Sequence, residues 1–175
     1  MERLWSPWRL DYVTRAAGPD SDACVFCAAL DPAALSPLLV CRGERSFVIL
    51  NKYPYNNGHL MVVPARHVGR LADATPAELT EIITLARVSE MALTEAYRAH
   101  GINVGMNVGR AAGAGVRDHL HVHLVPRWDG DTNFMSVVGD TRVVPEEPAA
   151  SVARLRPIFE RLAGPVLGAG AAPSS

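Results

Sequence analysis

Asp118-His119-Leu120-His121-Val122-His123-Leu124-Val125-Pro126-Arg127 sets three histidines at alternate positions with aliphatic residues between them. Period-2 alternation is the pattern of a half-buried β-strand, whose successive side chains point to opposite faces. Leu120, Val122 and Leu124 can then join a core, while His119, His121 and His123 share the other face. Packing asks nothing more of that second face than polar residues. Imidazole titrates near neutral pH and serves as base, nucleophile or metal ligand, so three of the chain's six histidines in one row mark an active site.

Outward from this strand, further strands are predicted at Leu38 to Arg42, Ser46 to Lys52, His59 to Pro64 and Ile102 to Val108. Tyr53-Pro54-Tyr55-Asn56-Asn57-Gly58 is rich in turn formers and makes a hairpin of the second and third. Thr75-Pro76-Ala77-Glu78 is a capping box with proline at the first helical position. Leu79, Ile82, Ile83, Ala86, Leu93 and Tyr97 follow at helical spacing, predicting an amphipathic helix that ends at His100-Gly101. Val152, Leu155, Phe159 and Leu162 predict a C-terminal helix, in which Pro157 costs about 3 kcal/mol unless it starts a new segment. Residues 1–21 form an arm whose Trp5, Trp8 and Tyr12 suit a core or subunit contact, and residues 164–175 are a Gly/Ala/Pro/Ser tail expected to be disordered.

The 175 residues fit one domain with a core of its own. A formal charge of −1 argues against a broad nucleic-acid footprint, so an anionic partner is expected to be small. Met1 to Arg9 lacks the apolar stretch of a signal peptide, and no later run is long enough to span a bilayer; a cytoplasmic protein without membrane partners is expected. Lys52 is the only lysine among 17 basic residues, a bias that a GC-rich coding sequence also produces. In a reducing compartment Cys24 and Cys27 suit a metal half-site, and Cys41 a buried core position.

Cys24-Val25-Phe26-Cys27 has the two-residue gap that lets both thiolates reach one tetrahedral zinc. His67 and one member of the 119/121/123 row are available to complete a Cys₂His₂ set. A redox dithiol is the rival reading, and it wants a strand before the motif and a helix after it. Between the last two strands lies Gly109 to Asp118, longer than a hairpin needs; backbone N–H groups of such a glycine-rich loop can cradle phosphate oxygens. Histidine beside a phosphate cradle points to attack on phosphorus, with one imidazole as nucleophile and a neighbour giving a proton.

His119 to Val125 resembles the signature of the histidine triad (HIT) superfamily of nucleotidyl hydrolases and transferases. Phe47-Val48-Ile49-Leu50-Asn51, Gly58 to Pro64, His67 and Gly101 to Asn107 resemble family segments in the same order, together covering roughly residues 22–130. Leu4 to Arg9 and Trp128 to Phe134 are similar to a bacterial branch that includes diadenosine tetraphosphate phosphorylases.

The resemblance implies an α+β fold with a five-stranded antiparallel sheet and one long helix, extended across a homodimer, with the family domain over residues 22–147 and a C-terminal helix over 148–163. It also implies roles. His121 would take AMP from an α-phosphate as a covalent nucleotidyl-histidine, and His123 would hydrogen-bond the phosphate. His119 would join Cys24, Cys27 and His67 around a structural zinc, leaving no open position on the metal. Phe47, Asn51, Asn107, Gly113, Gly115 and His59 would line or support the substrate site, Asn51 at the ribose hydroxyls and Asn107 near the phosphates. Where many relatives carry glutamine or serine shortly before the triad, this chain has Ala114-Gly115, so backbone amides of Gly113 to Val116 stand in for a side chain. Adenine nucleotides or dinucleoside polyphosphates are the implied ligands, with an adenosine phosphoramidate as the alternative substrate. Two readings of other classes are a metal-dependent β-fold enzyme, in which alternate histidines share a catalytic metal, and a nucleotide-binding regulator.

Overall fold

A computed structural model describes residues 24–114, 116, 118–131 and 146–167. The arm with Trp5, Trp8 and Tyr12, and the loop glycine Gly115, lie outside them. Five strands run Leu39–Arg42 (β1), Ser46–Leu50 (β2), Leu60–Pro64 (β3), Gly101–Met106 (β4) and Val122–Arg127 (β5). They pair antiparallel throughout in the order β1-β2-β3-β5-β4. Helices Val25–Ala29 (α1), Pro76–Tyr97 (α2) and Pro148–Leu167 (α3) complete an α+β architecture.

Both faces of β2 and β3 are covered, which is why every residue of the two strands is buried. Val48, Leu50, Leu60, Val62, Val122 and Leu124 pack against Ile82, Leu85 and Leu93 of α2 and Leu155 and Phe159 of α3. On the opposite face Phe47, Ile49, Met61 and Val63 form a second apolar cluster with Leu39 and with Phe26 and Ala29 of α1. This second face is the one that His121 and His123 share, since Met61 pairs with His123.

The capping box forms as the sequence predicts: Glu78 N–H donates to Thr75 Oγ1 at 3.2 Å and Thr75 N–H to the Glu78 carboxylate at 2.7 Å. α2 ends at Tyr97, earlier than expected. Arg98 takes the left-handed turn (φ 50°), Trp128 Nε1–H donates to Tyr97 O at 3.2 Å, and His100 N–H already donates to Arg127 O at 2.9 Å. Ile83, assigned to the packed face, is instead 63 % exposed.

The triad strand is shorter than its alternation suggests, because ladder pairing begins only at Val122. Pro64 has no N–H to offer a continuing ladder, and Leu120 N–H donates to Val68 O at 2.6 Å instead. At the C-terminus one helix runs through Pro157 and on to Leu167, so residues 164–167 belong to the helix and not to the tail. Pro157 and Ala153, whose carbonyl loses its partner, are both exposed, while Leu155 and Phe159 are anchored in the core. The orphaned carbonyl belongs to an exposed residue, and the burial of Leu155 and Phe159 offsets the proline.

Candidate active site

The three histidines of the row do three different things. His119 lies in the bend before β5 and is 2 % exposed. Its Nε2 is 2.9 Å from Pro64 O, and a carbonyl only accepts, so Nε2 carries the proton. Nδ1 is left with its lone pair, directed at Cys24 Sγ (3.1 Å) and Cys27 Sγ (3.6 Å). Cys27 Sγ lies 3.3 Å from His67 Nδ1. The ligand atoms of Cys24, Cys27, His67 and His119 all fall within 4.8 Å of one another.

Ligands of a tetrahedral zinc with ordinary Zn–S and Zn–N bonds stand about 3.6 Å apart, so this donor set fits the ion. A ring N–H donated to a backbone carbonyl is how metal-bound histidines are commonly oriented, and the Pro64 contact supplies it. Burial, then the adjacent Cys24 thiol, raises Cys27 from its ordinary value; a shared cation removes that conflict. Cys24 caps α1, a short helix the sequence reading does not foresee. Two imidazoles against the thiols favour a metal over a redox dithiol.

His121, 3 % exposed, has Nδ1 2.9 Å from His119 O. Again the carbonyl fixes the tautomer: Nδ1 donates and Nε2 keeps a free lone pair. Burial, partly offset by that hydrogen bond, holds the ring below its ordinary value and favours the neutral form.

His123 is held differently. Tyr55 N–H donates to His59 Nδ1 at 3.1 Å, so the fully buried His59 must carry its proton on Nε2, 2.9 Å from His123 Nδ1. His123 then accepts on Nδ1 and bears a proton on Nε2. Asn51 Nδ2 reaches the same His59 nitrogen at 3.3 Å while its Oδ1 accepts from Tyr53 N–H at 3.0 Å. Burial, then His123 and His121, pushes His59 down to about 3; burial, then His121, lowers His123 to about 4. The row therefore presents an electron pair on one ring and a proton on the next, with the ring centroids 4.8 Å apart.

The other expected residues divide. Asn51 and His59 stand beside His123. Phe47 is 0 % exposed within the second apolar cluster, where it supports the face that carries His121 and His123. Asn107 Nδ2–H donates to Gly113 O at 3.4 Å and ties down the loop. Gly109 (φ 82°) and Gly113 (φ 85°) bracket a 3₁₀ turn at Arg110–Ala112 that only glycine's positive φ makes easy. Two contributors were missed. Phe26, the lone aromatic between the two cysteines, packs on His119 and His121. Tyr55, four residues before His59, stacks on His59 and His123 at centroid distances of 4.7 and 5.9 Å. Each is flagged only by its neighbour in sequence.

Residues 36–130 match the HIT domain family. Over 152 residues the chain is 41 % identical to a Mycobacterium tuberculosis protein named AP-4-A phosphorylase, spanning 83 % of this chain and 78 % of that one. Over 90 residues it is 38 % identical to the asymmetrical bis(5'-nucleosyl)-tetraphosphatase of Schizosaccharomyces pombe, spanning 51 % and 49 % of the two chains. Among solved structures, a zinc-bound histidine triad family protein from Mycobacterium smegmatis superposes with a TM-score of 0.67 at 29 % identity, covering 83 % of this chain and 99 % of that one.

Proposed function

The chain belongs to the HIT domain family, and from that premise we propose that it transfers AMP from a diadenosine polyphosphate through His121 to phosphate or water. The observation that carries the proposal is the His121 Nδ1–H bond to His119 O, which leaves Nε2 as a neutral nucleophile beside a proton-bearing His123. Nε2 attacks the α-phosphorus, the bond from phosphorus to the bridging oxygen breaks, and the leaving polyphosphate takes the electron pair. His123 Nε2–H stabilises charge on a phosphate oxygen as the nucleotidyl-histidine forms. An acceptor oxygen then attacks the same phosphorus, releases its proton and returns the electron pair to Nε2. Phosphorolysis is the sharper reading, supported by the likeness to the Mycobacterium tuberculosis protein named AP-4-A phosphorylase.

Cys24, Cys27, His67 and His119 would hold zinc with four protein ligands, a closed structural site that contributes no water to the chemistry. His119 is the only member of the triad in that donor set, and His121 and His123 spend their Nδ1 atoms on other partners, which disfavours three histidines sharing a catalytic metal. Substrate-side roles are proposed for Asn51 at the ribose and for Gly113 and Gly115 backbone amides at the phosphates.

Incubation with diadenosine tetraphosphate, with and without inorganic phosphate, tests this. ADP plus ATP only with phosphate is the expected result. AMP plus ATP regardless of phosphate makes the chain a hydrolase acting through the same intermediate. Nucleotide binding without any product overturns the enzymatic reading in favour of a regulator.

A further inference from the structure

We propose that Phe26 is a positioning residue for the His121 ring, an inference that rests on His121 being the nucleophile. Among the described residues the polar hold on this ring is the Nδ1–H bond to His119 O. One such bond sets the direction of Nδ1 and lets the ring rock about it, sweeping Nε2 across the place where phosphorus must sit. Two rings close that motion. His123 stands on one side at 4.8 Å with an interplanar angle of 80°, and Phe26 packs at 5.1 Å with an angle of 49°. Phe26 is 3 % exposed, so its ring has little space in which to yield.

The delivery of Phe26 is specific. It sits between Cys24 and Cys27 on α1, and the thiols on either side of it reach Nδ1 of His119 and His67. The same ring meets His119 edge-on, at 5.4 Å and 77°. Two thiols and one ring thus bind a five-residue helix to the residue whose carbonyl orients the nucleophile. A side chain with no polar atom then governs how Nε2 is aimed, and near-attack geometry is sensitive to displacements of an ångström.

The test compares Phe26→Ala and Phe26→Leu with Phe159→Leu, a core change on the helix side of the sheet. Phe26→Ala is expected to lower kcat with diadenosine tetraphosphate by about tenfold to a hundredfold while KM stays within about twofold. Phe26→Leu, which keeps apolar bulk, falls between it and wild type, and remains informative should the alanine variant not fold. Bound zinc is retained in both. The His121 ¹⁵N resonances move from a single Nδ1–H tautomer towards an averaged one. Phe159→Leu lowers Tm comparably and leaves kcat and those resonances unchanged. Wild-type turnover with an unaltered His121 spectrum in both Phe26 variants, or an equal kcat loss in Phe159→Leu, overturns the positioning role alone. A wild-type chain that forms no product overturns the nucleophile reading and this proposal with it.

Discussion

At the scale of single residues the site is a matter of where protons sit. His119 O and Pro64 O, which can only accept, and Tyr55 N–H, which can only donate, dictate the tautomers of four histidines without any of them being charged. Two predictions follow from this neutrality. His121→Ala is expected to reduce turnover by at least about a thousandfold. The same variant should keep its metal, because its ring is outside the thiol cluster; loss of zinc on assay of metal content would restore the shared-metal reading. The second concerns pH. His59 is held at about 3 and His123 at about 4, below the 6.5 of a solvated imidazole. Their folded pKa values are depressed, so the unfolded chain binds more protons between those limits. Stability is then full above pH 6.5 and falls as the pH drops towards 4 and 3, while kcat/KM, which needs neutral rings in the folded state, begins to fall only below the 6.5 of a solvated imidazole, since burial lowers His121 as well. Urea midpoints and kcat/KM measured over the same pH series check this; an inflection in kcat/KM at 6.5 contradicts it.

At the scale of elements, the long helix and the CxxC segment offer separate tests. Thr75→Ala removes the cap of α2 and, with it, the partner of Glu78 N–H, at an expected cost of about 1 kcal/mol in chemical denaturation. If zinc joins Cys24, Cys27, His67 and His119 it pins α1 to the bend before β5, and chelation should then lower Tm; activity lost at unchanged Tm would contradict a structural metal. The capping box, the hairpin and the histidine row were legible because each is a local pattern with a local cause. His119's departure from the β5 ladder was not, since it depends on Pro64 across the sheet lacking an N–H. Neither was the passage of α3 through Pro157, which depends on Leu155 and Phe159 being buried by other elements. Phe26 shows the same limit: CxxC announces its thiols, but nothing in the spacing says that the residue between them meets His121.

At the scale of the whole molecule, the sheet has an end without a neighbour among the described residues. β4 pairs only with β5, and its other edge offers backbone donors and acceptors to a further strand. Val104 faces the same side as its partner Leu124 but is 57 % exposed, and on α2 Ile83 and Met91 are 63 % and 43 % exposed. Isolated apolar residues on a surface mean little, whereas an uncharged edge strand presenting valine on the helix side of its sheet is the arrangement that soluble proteins avoid unless something covers it. A second copy meeting edge to edge would continue the antiparallel ladder and bury Val104 twice, as a two-fold contact requires. The expected outcome is a mass of twice 18.8 kDa by light scattering. Val104→Lys places a charge on that edge and should give a monomer with unchanged helical content and unchanged metal content. A wild-type monomer, or a Val104→Lys dimer, moves the subunit contact away from β4.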